Sequence, residues 1–393
     1  MINIRLVTKI YDNHSLAIVS RKLCLQLIKD KRFNITITPL DKYNPEWKVN
    51  KEELIAIKPF INTKLKKYDL EIRHSYPPIM TWPDDPNTKI VYIQPWEYNR
   101  MPLEWKNVFQ DFADAVIVPS TWVSNVYINA GINPDKVKIV PNGYDPKIFN
   151  KNPVTTKFFD ASKFVFTYVG NAQYRKGIDI LFQAWHKAFV KADNAVLFIK
   201  DTPAIYGQSN ILENAIQLQY KTGCGKIVYN DESLSEEEMA SIYKNSSVLV
   251  HPYRGEGFGM HIQEAMACGA LPMVTGIGAA NDFVNEVCGI KLNASQQFID
   301  ANDPKYFIGK SGDSYANMGL NFWVPEVSVD DLANKMRFLY YHHERHTILD
   351  KVNNANLWTW ETVSKSFAEE LVKVSESKIS YRNKNYDISN IKS

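Results

Sequence analysis

Cysteine is scarce in this chain. Four occur among 393 residues, Cys24, Cys224, Cys268 and Cys288, and no two stand in a C-x-x-C spacing. Neither a zinc chelate nor a disulfide framework is therefore supported. Long apolar runs are absent too, with nothing near the roughly 18 residues a membrane-spanning helix needs. The opening stretch MINIRLVTKIYDN reads as a polar-flanked strand without the apolar centre of a secretory leader, and a reducing, cytoplasmic setting is expected. No G-x-G-x-x-G follows that strand and no G-x-x-x-x-G-K-[ST] occurs anywhere, which excludes the dinucleotide fingerprint and the P-loop. A strong excess of one charge is missing as well. The net value is +3, so no nucleic-acid partner is expected. The first 150 residues carry 21 Lys and Arg against 16 Asp and Glu. Two readings of that bias stand: peripheral contact with anionic lipid at the inner face of a membrane, or ordinary solvated surface.

What is present is a globular balance, 45% hydrophobic and 23% charged, enough for two cores of medium size. Short β-branched runs alternate with helical stretches. The first series of predicted strands is Ile2–Thr8, Ile35–Pro39, Leu70–His74, Ile90–Ile93, Ala115–Pro119 and Val137–Val140. Between the first two, Leu16, Val19, Leu23 and Leu27 give one apolar helical face. The pattern restarts at Phe164–Val169, Ala195–Ile199, Ile227–Tyr229, Val248–His251 and Leu271–Val274, after an Asn-, Pro- and Lys-rich linker over Asn142–Lys163. Strand–helix alternation of this kind predicts α/β architecture: two doubly wound, Rossmann-like parallel sheets in series. Ligands of such sheets bind beyond the carboxyl ends of the strands, so two such domains facing one another would make a cleft.

The densest chemistry lies in HPYRGEGFGMHIQEAMACGALPMV, residues 251–274. A strand ends at His251, a glycine loop follows, and a short helix is predicted from about Met260 to Cys268, stopped by Gly269. The amino end of that helix offers unpaired N–H groups and a positive dipole to phosphate or hydroxyl groups. Glu264, in its early turns, can accept two hydrogen bonds from a vicinal diol such as ribose, or can simply complement the dipole. Glu256, in the loop, is placed to hold a second hydroxyl-bearing unit.

The stretch resembles the E-x7-E signature of retaining family-4 glycosyltransferases (glycosyltransferase group 1) with the GT-B fold. Three more segments resemble the family in its order: PSTWVSNVYINAGINPDKVKIVPNGYDPKIF, FTYVGNAQYRKGIDILFQAW and LWTWETVSKSFAEELVKV. The segments IRHSYPP and IQPWEYNRMPLEW resemble a branch acting on cell-surface glycans. The resemblance implies an N-terminal acceptor-binding domain over residues 1–150 and a nucleotide-sugar-binding domain over 151–355. A C-terminal helix at 356–376 would cross back to the first domain, ahead of a polar tail at 377–393. By the same resemblance Glu264 holds the ribose and Glu256 the transferred sugar. The amides of Phe258, Gly259 and Met260 face that sugar and the phosphate, with Gly257 and Gly170 allowing close approach. The nucleobase lies against backbone near Ile227–Asn230, and Lys176 neutralises the diphosphate leaving group.

The chain departs from the family pattern in places. Asn171 stands where an arginine is usual. Arg175 either supplies that guanidinium to the diphosphate or faces solvent. Gln94 stands where a histidine is frequent, and nearby Trp96 and Glu97 either contact acceptor and sugar or form a packed corner. His14 and Ser15 open the first helix, where the family often has glycines near the diphosphate; Ser15 can also be a plain N-cap. No D-x-D occurs, so no metal and no cofactor are expected, only a nucleotide-sugar co-substrate. The expected activity is transfer of a hexose-type sugar, with retention, from a UDP- or GDP-sugar to a glycan or lipid-linked acceptor in cell-surface polysaccharide or glycoconjugate synthesis. Two alternatives are a glycosyltransferase-like binding or scaffold protein and another GT-B enzyme such as a nucleotide-sugar epimerase.

Overall fold

The computed structural model describes the chain except residues 46, 153–157, 161, 172, 203–209, 301–302, 304–320, 343–351, 354 and 379–393. Most of the polar tail therefore lies outside the described residues. The chain divides into two compact units. Unit 1 takes Met1–Gly143 and the segment from Trp358 onward; unit 2 takes Tyr144–Gly312 and Asn321–Leu357.

In unit 1 the strands are β1 (Ile2–Thr8), β2 (Phe33–Pro39), β3 (Leu70–His74), β4 (Lys89–Ile93), β5 (Ala115–Val118) and β6 (Val137–Ile139). They form one parallel sheet in the order β2-β1-β3-β4-β5-β6. All residues of β3, β4 and β5 are buried, as in strands covered on both faces, with Glu71 and Arg73 of β3 paired to each other. The helices are α1 (Ser15–Leu27), α2 (Lys51–Ile57), α3 (Leu103–Asn107), followed by a π-helical turn over Val108–Phe112, and α4 (Thr121–Asn129).

Unit 2 repeats the plan. Strands β7 (Phe164–Val169), β8 (Ala195–Lys200), β9 (Lys226–Asn230), β10 (Val248–His251), β11 (Leu271–Thr275) and β12 (Ile290–Leu292) order themselves β12-β11-β10-β7-β8-β9, again parallel. A separate two-stranded antiparallel sheet pairs β13 (Ala294–Phe298) with β14 (Trp323–Val327). The helices are α5 (Ile178–Ala188), α6 (Ile211–Thr222), α7 (Glu236–Asn245), α8 (Met260–Ala267) and α9 (Val329–His342). α5 shows how the apolar stripe works: Leu181, Ala184, Trp185 and Ala188 are buried, and the Trp185 indole N–H donates to Gly225 O at 3.0 Å. Burial of so large a ring makes its truncation cost roughly 3–5 kcal/mol.

The last helix, α10 (Trp360–Glu376), belongs to unit 1 and packs on α1. Lys89 Nζ, on β4, donates to the terminal carbonyls of Val374, Ser375 and Ser377. A cation there satisfies groups that a helix end leaves unpaired and complements its dipole.

Each sheet reverses its winding once, between β1 and β3 in unit 1 and between β7 and β10 in unit 2. A crevice opens beyond the carboxyl ends of strands at such a point. In unit 2 the two segments leaving it are the loops that carry Lys176 and Glu256.

Candidate active site

β7 ends at Val169, and the chain passes through Gly170 and Asn171 into a 3-10 turn, Tyr174–Lys176, closed by Gly177. Gly177 has φ +72°, and a side chain there would overlap the carbonyl oxygen of Pro252. Only glycine lets the two loops come this close. Their contact is sealed by the Arg254 amide, which donates to Arg175 O at 2.6 Å.

Across this seam the Lys176 ammonium meets Glu256 Oε2 at 2.6 Å, with only 14% and 11% of the two side chains exposed. His251, fully buried at the end of β10, donates from Nε2 to the same oxygen at 3.3 Å. Burial alone would lift the Glu256 carboxyl, but Lys176, the His251 hydrogen bond and Arg175 outweigh it and hold it well below the carboxylate range. Burial pushes His251 down to about 4, and burial with the charges of its neighbours pushes His261 down as well. Both imidazoles are therefore neutral at working pH. Their rings stack edge to face at 4.2 Å behind the carboxylate.

His251, Glu256 and His261 bring their ligand atoms within 4.8 Å of one another, and two imidazoles with a carboxylate have the composition of a metal site. The electrostatics oppose that use. An ammonium already sits on the carboxylate and a guanidinium bears on it, so a divalent ion would displace one cation in the presence of another. The same surroundings suit an anion.

Arg175 is half-buried, and its Nη1 donates to Gly255 O at 3.0 Å, within the glycine loop. Asn171 turns its side chain to its own loop, where Oδ1 accepts from the Gln173 amide at 3.4 Å, and it is 5% exposed. Gly170 donates its amide to Lys200 O. After Glu256, the Gly257 amide donates to the Glu256 carboxylate at 3.2 Å, and Phe258 is buried against Phe283. Gly259 then takes φ +92° as the N-cap of α8, and Met260 is the first helical residue. Gly259 has no side chain to cap the helix, so the cap makes no side-chain hydrogen bond to the first amides. Glu264 lies one turn into α8, where its Oε2 accepts from the Tyr243 hydroxyl at 3.4 Å.

Arg254, unremarked in the sequence, is 1% exposed and ties the site together. It binds Asp179 through both terminal nitrogens at 2.8 Å, meets Glu326 at 2.5 and 2.8 Å, and lies 3.6 Å over the Tyr174 ring. At the ends of β8 and β9 the structure places buried Lys200, lowered to about 8 by burial, and the Tyr229 hydroxyl, which donates to Asp201 at 2.9 Å. Asn230, where the nucleobase was expected, has a buried Oδ1 without a partner among the described residues.

In unit 1 the N-cap of α1 is His14, whose Nδ1 accepts from the Leu16 amide at 3.3 Å; Ser15 is an exposed first helical residue, not the cap. The loop before it has several of its amides bound within the unit. Those of Ile10, Tyr11 and Asp12 all converge on the Asp41 carboxylate, and Arg21 binds the carbonyls of Ile10 and Asp12. Side chains thus hold this turn in place. Gln94 follows β4 and is wholly buried, while Trp96 and Glu97 lie just beyond it, Trp96 packed against Trp105.

Comparison with known proteins adds a family. A model described as Glycosyl transferases group 1 matches residues 155–296, and one described as Glycosyltransferase Family 4 matches residues 72–148. An uncharacterized glycosyltransferase of Methanocaldococcus jannaschii is 28% identical over 165 residues, 40% of this chain and 40% of that protein. A putative glycosyltransferase of Sulfolobus islandicus filamentous virus is 24% identical over 231 residues, 56% of this chain and 60% of its own. The matches span about half the length of these curated relatives. Among solved structures, Anabaena HepE in complex with UDP-glucose superimposes with a TM-score of 0.66 at 14% identity, over 95% of this chain and 100% of that one. A glycosyltransferase from Rickettsia africae gives 0.67 at 13% identity, over 96% and 99%. Likeness at these identities shows the fold. With two adjoining family models matched over more than half of its length and the family's fold in both units, the chain belongs to the group 1 glycosyl transferases of GT-B fold, its first unit matching family 4.

Proposed function

We infer that the protein is a retaining glycosyltransferase that moves a hexose-type sugar from a nucleotide sugar to a glycan or lipid-linked acceptor, as in cell-surface glycoconjugate synthesis. The observation that carries this reading is the Lys176–Glu256 pair, set between the switch point of the unit 2 sheet and the amino end of α8. UDP is the first choice of diphosphate, because Anabaena HepE was solved with UDP and with UDP-glucose; GDP remains the comparison.

In this reading the donor exchanges partners within the site. Its diphosphate takes the Lys176 ammonium from Glu256, and the amide end of α8 faces the same anion. Glu256, released, accepts from hydroxyls of the sugar, while Glu264 accepts from the ribose diol. Lys176 then acts on rate, because negative charge grows on the diphosphate as the sugar leaves. Retention follows a front-face path. The bond between C1 and the phosphate oxygen breaks, the acceptor oxygen bonds to C1 on the same face, and its proton passes to the departing phosphate. The product is a glycoside plus nucleoside diphosphate, with no protein nucleophile. Among the described residues no helix is long and apolar enough to cross a membrane; contact of unit 1 with a membrane surface belongs to the proposal.

Calorimetric titration with UDP and GDP tests the site, and NMR of the product anomer tests retention. Failure of both diphosphates to bind at millimolar concentration would sink the reading.

A further inference from the structure

We propose that His251 is a positioning residue, which keeps the Glu256 carboxylate in place when the donor diphosphate draws Lys176 away. This rests on the transferase reading above.

In the free protein Glu256 Oε2 is shared between the Lys176 ammonium at 2.6 Å and His251 Nε2 at 3.3 Å, while Oε1 accepts from the Gly257 amide at 3.2 Å. The exchange of partners removes the strongest of these contacts. A carboxylate left with the Gly257 amide alone is free to turn about its side-chain bonds or to follow the departing ammonium. His251 can do neither. It is the last residue of β10, a strand paired on one side to β11, where His251 lies opposite Val274, and on the other to β7. Its ring is 0% exposed. Tyr168 stands 6.1 Å from it, Tyr253 5.4 Å and His261 4.2 Å, the last ring almost perpendicular to it.

The tautomer follows from the same surroundings. A neutral imidazole carries one N–H, and the carboxylate oxygen calls for it on Nε2. Nδ1 is then the bare nitrogen, and it is the one that lies buried without a partner among the described residues. The reverse arrangement would set a bare nitrogen against the carboxylate and strand an N–H in the interior. Neutrality matters as much as the bond. A lysine or arginine in this place would pair with Glu256 and cancel its charge, and an aliphatic side chain would leave it unheld. An imidazole kept neutral by burial supplies one directed donor. The carboxylate therefore meets the sugar hydroxyls still ionised, as a strong acceptor.

The test compares two side chains of one shape in the full-length protein. His251→Gln keeps a neutral N–H donor at about the reach of Nε2, and His251→Met removes it. With UDP-glucose or UDP-galactose as donor and water as acceptor, His251→Met should release UDP roughly tenfold or more slowly at saturation. Its Kd for UDP, which has no sugar to offer Glu256, should stay within about twofold of wild type. His251→Gln should recover most of the rate. In a Glu256→Ala background His251→Met should change nothing further, since the carboxylate through which it acts is gone. A merely structural role gives another pattern: UDP affinity and rate fall together, glutamine does not rescue, and the loss persists without Glu256. Any of these overturns the proposal, as does an undiminished rate in folded His251→Met. If the variants do not fold, or the wild type hydrolyses neither donor, nitrogen NMR of the wild-type imidazole decides. With UDP-glucose bound, His251 must carry its proton on Nε2, and a proton on Nδ1 overturns the assignment. Failure of the wild type to bind UDP and GDP sinks the transferase reading itself, whereas UDP binding with any of the overturning patterns sinks this proposal alone.

Discussion

Removing the charge of Glu256 should tighten the binding of UDP while nearly abolishing transfer. In the free protein Lys176 is held at 2.6 Å by a carboxylate that is kept ionised, with both side chains mostly shielded from water. The diphosphate must break that contact before it can use the ammonium. A charge-assisted hydrogen bond contributes about 1.5–3 kcal/mol and a neutral one about 0.5–1.5 kcal/mol. Glu256→Gln therefore lowers the cost of releasing Lys176 by roughly 1 kcal/mol, or about fivefold in Kd. Loss of a negative charge from an anion site acts in the same direction. Because UDP carries no sugar, it forfeits nothing when the Glu256 contact to the sugar goes. Turnover should fall by about a hundredfold or more, the scale for one preorganised partner of the transition state. Lys176→Ala should weaken UDP and slow turnover together. Calorimetry with UDP, alongside donor turnover, separates the two variants. If Glu256→Gln binds UDP more weakly than wild type, the exchange of partners at Lys176 is wrong, and Glu256 has some other task.

Glu264→Ala should weaken UDP by roughly tenfold or more, one or two charge-assisted bonds to the diol being lost, with kcat falling far less than KM rises; unchanged UDP affinity would move the ribose elsewhere. Gly177→Ala should cost about 3 kcal/mol or more in denaturant unfolding, since it adds left-handed strain to an overlap with the Pro252 backbone, and a wild-type midpoint would show that the loops are not locked there. The buried imidazoles predict an acid-sensitive fold. His74, lowered to about 3 by burial and by His14, and His251, lowered to about 4, bind protons near pH 6.5 only when unfolded, so each removes about 1.4 kcal/mol of stability per pH unit as pH falls from about 6 to 4. His74→Asn should flatten that slope, measured as unfolding midpoints between pH 7 and 5, and an identical slope would refute the assignment. Turnover should survive exhaustive chelation, because Lys176 and the α8 amino end carry the charge on the leaving group; loss restored by magnesium or manganese would overturn that account.

Much of the sheet framework was legible because short runs with apolar residues at every position or every second one, set between helical stretches, announce themselves. Ile2–Thr8, Leu70–His74, Phe164–Val169 and Val248–His251 were read to the residue. The hairpin strand Ala294–Phe298 was not, since ASQQF is polar, largely exposed, and pairs with a segment far along the chain. The site divides in the same way. Lys176 and Glu256 were picked out by motif resemblance, although their contact spans 80 positions. Arg254 escaped because its meaning lies in Asp179 and Glu326, 75 positions before it and 72 after. A buried charge is recognised by its partners, and local spacing does not name partners that distant. The Asp41 clamp on the first loop was hidden for the same reason.

The place of α10 has a consequence for how the chain is made. Unit 1 is interrupted: the chain leaves it at Gly143 and returns at Trp358, and the Trp360 backbone fills the space where a side chain on Gly143 would go. Most of what lies between, Tyr144–Gly312 and Asn321–Leu357, is unit 2. Unit 1 must wait. Its first 143 residues emerge early, yet Lys89 has no helix end to grip, and Arg32 no Glu369, until the last helix is synthesised. At 5–20 residues per second the delay is roughly 10–40 s. Throughout it, the surface of α1 that α10 later covers is bare.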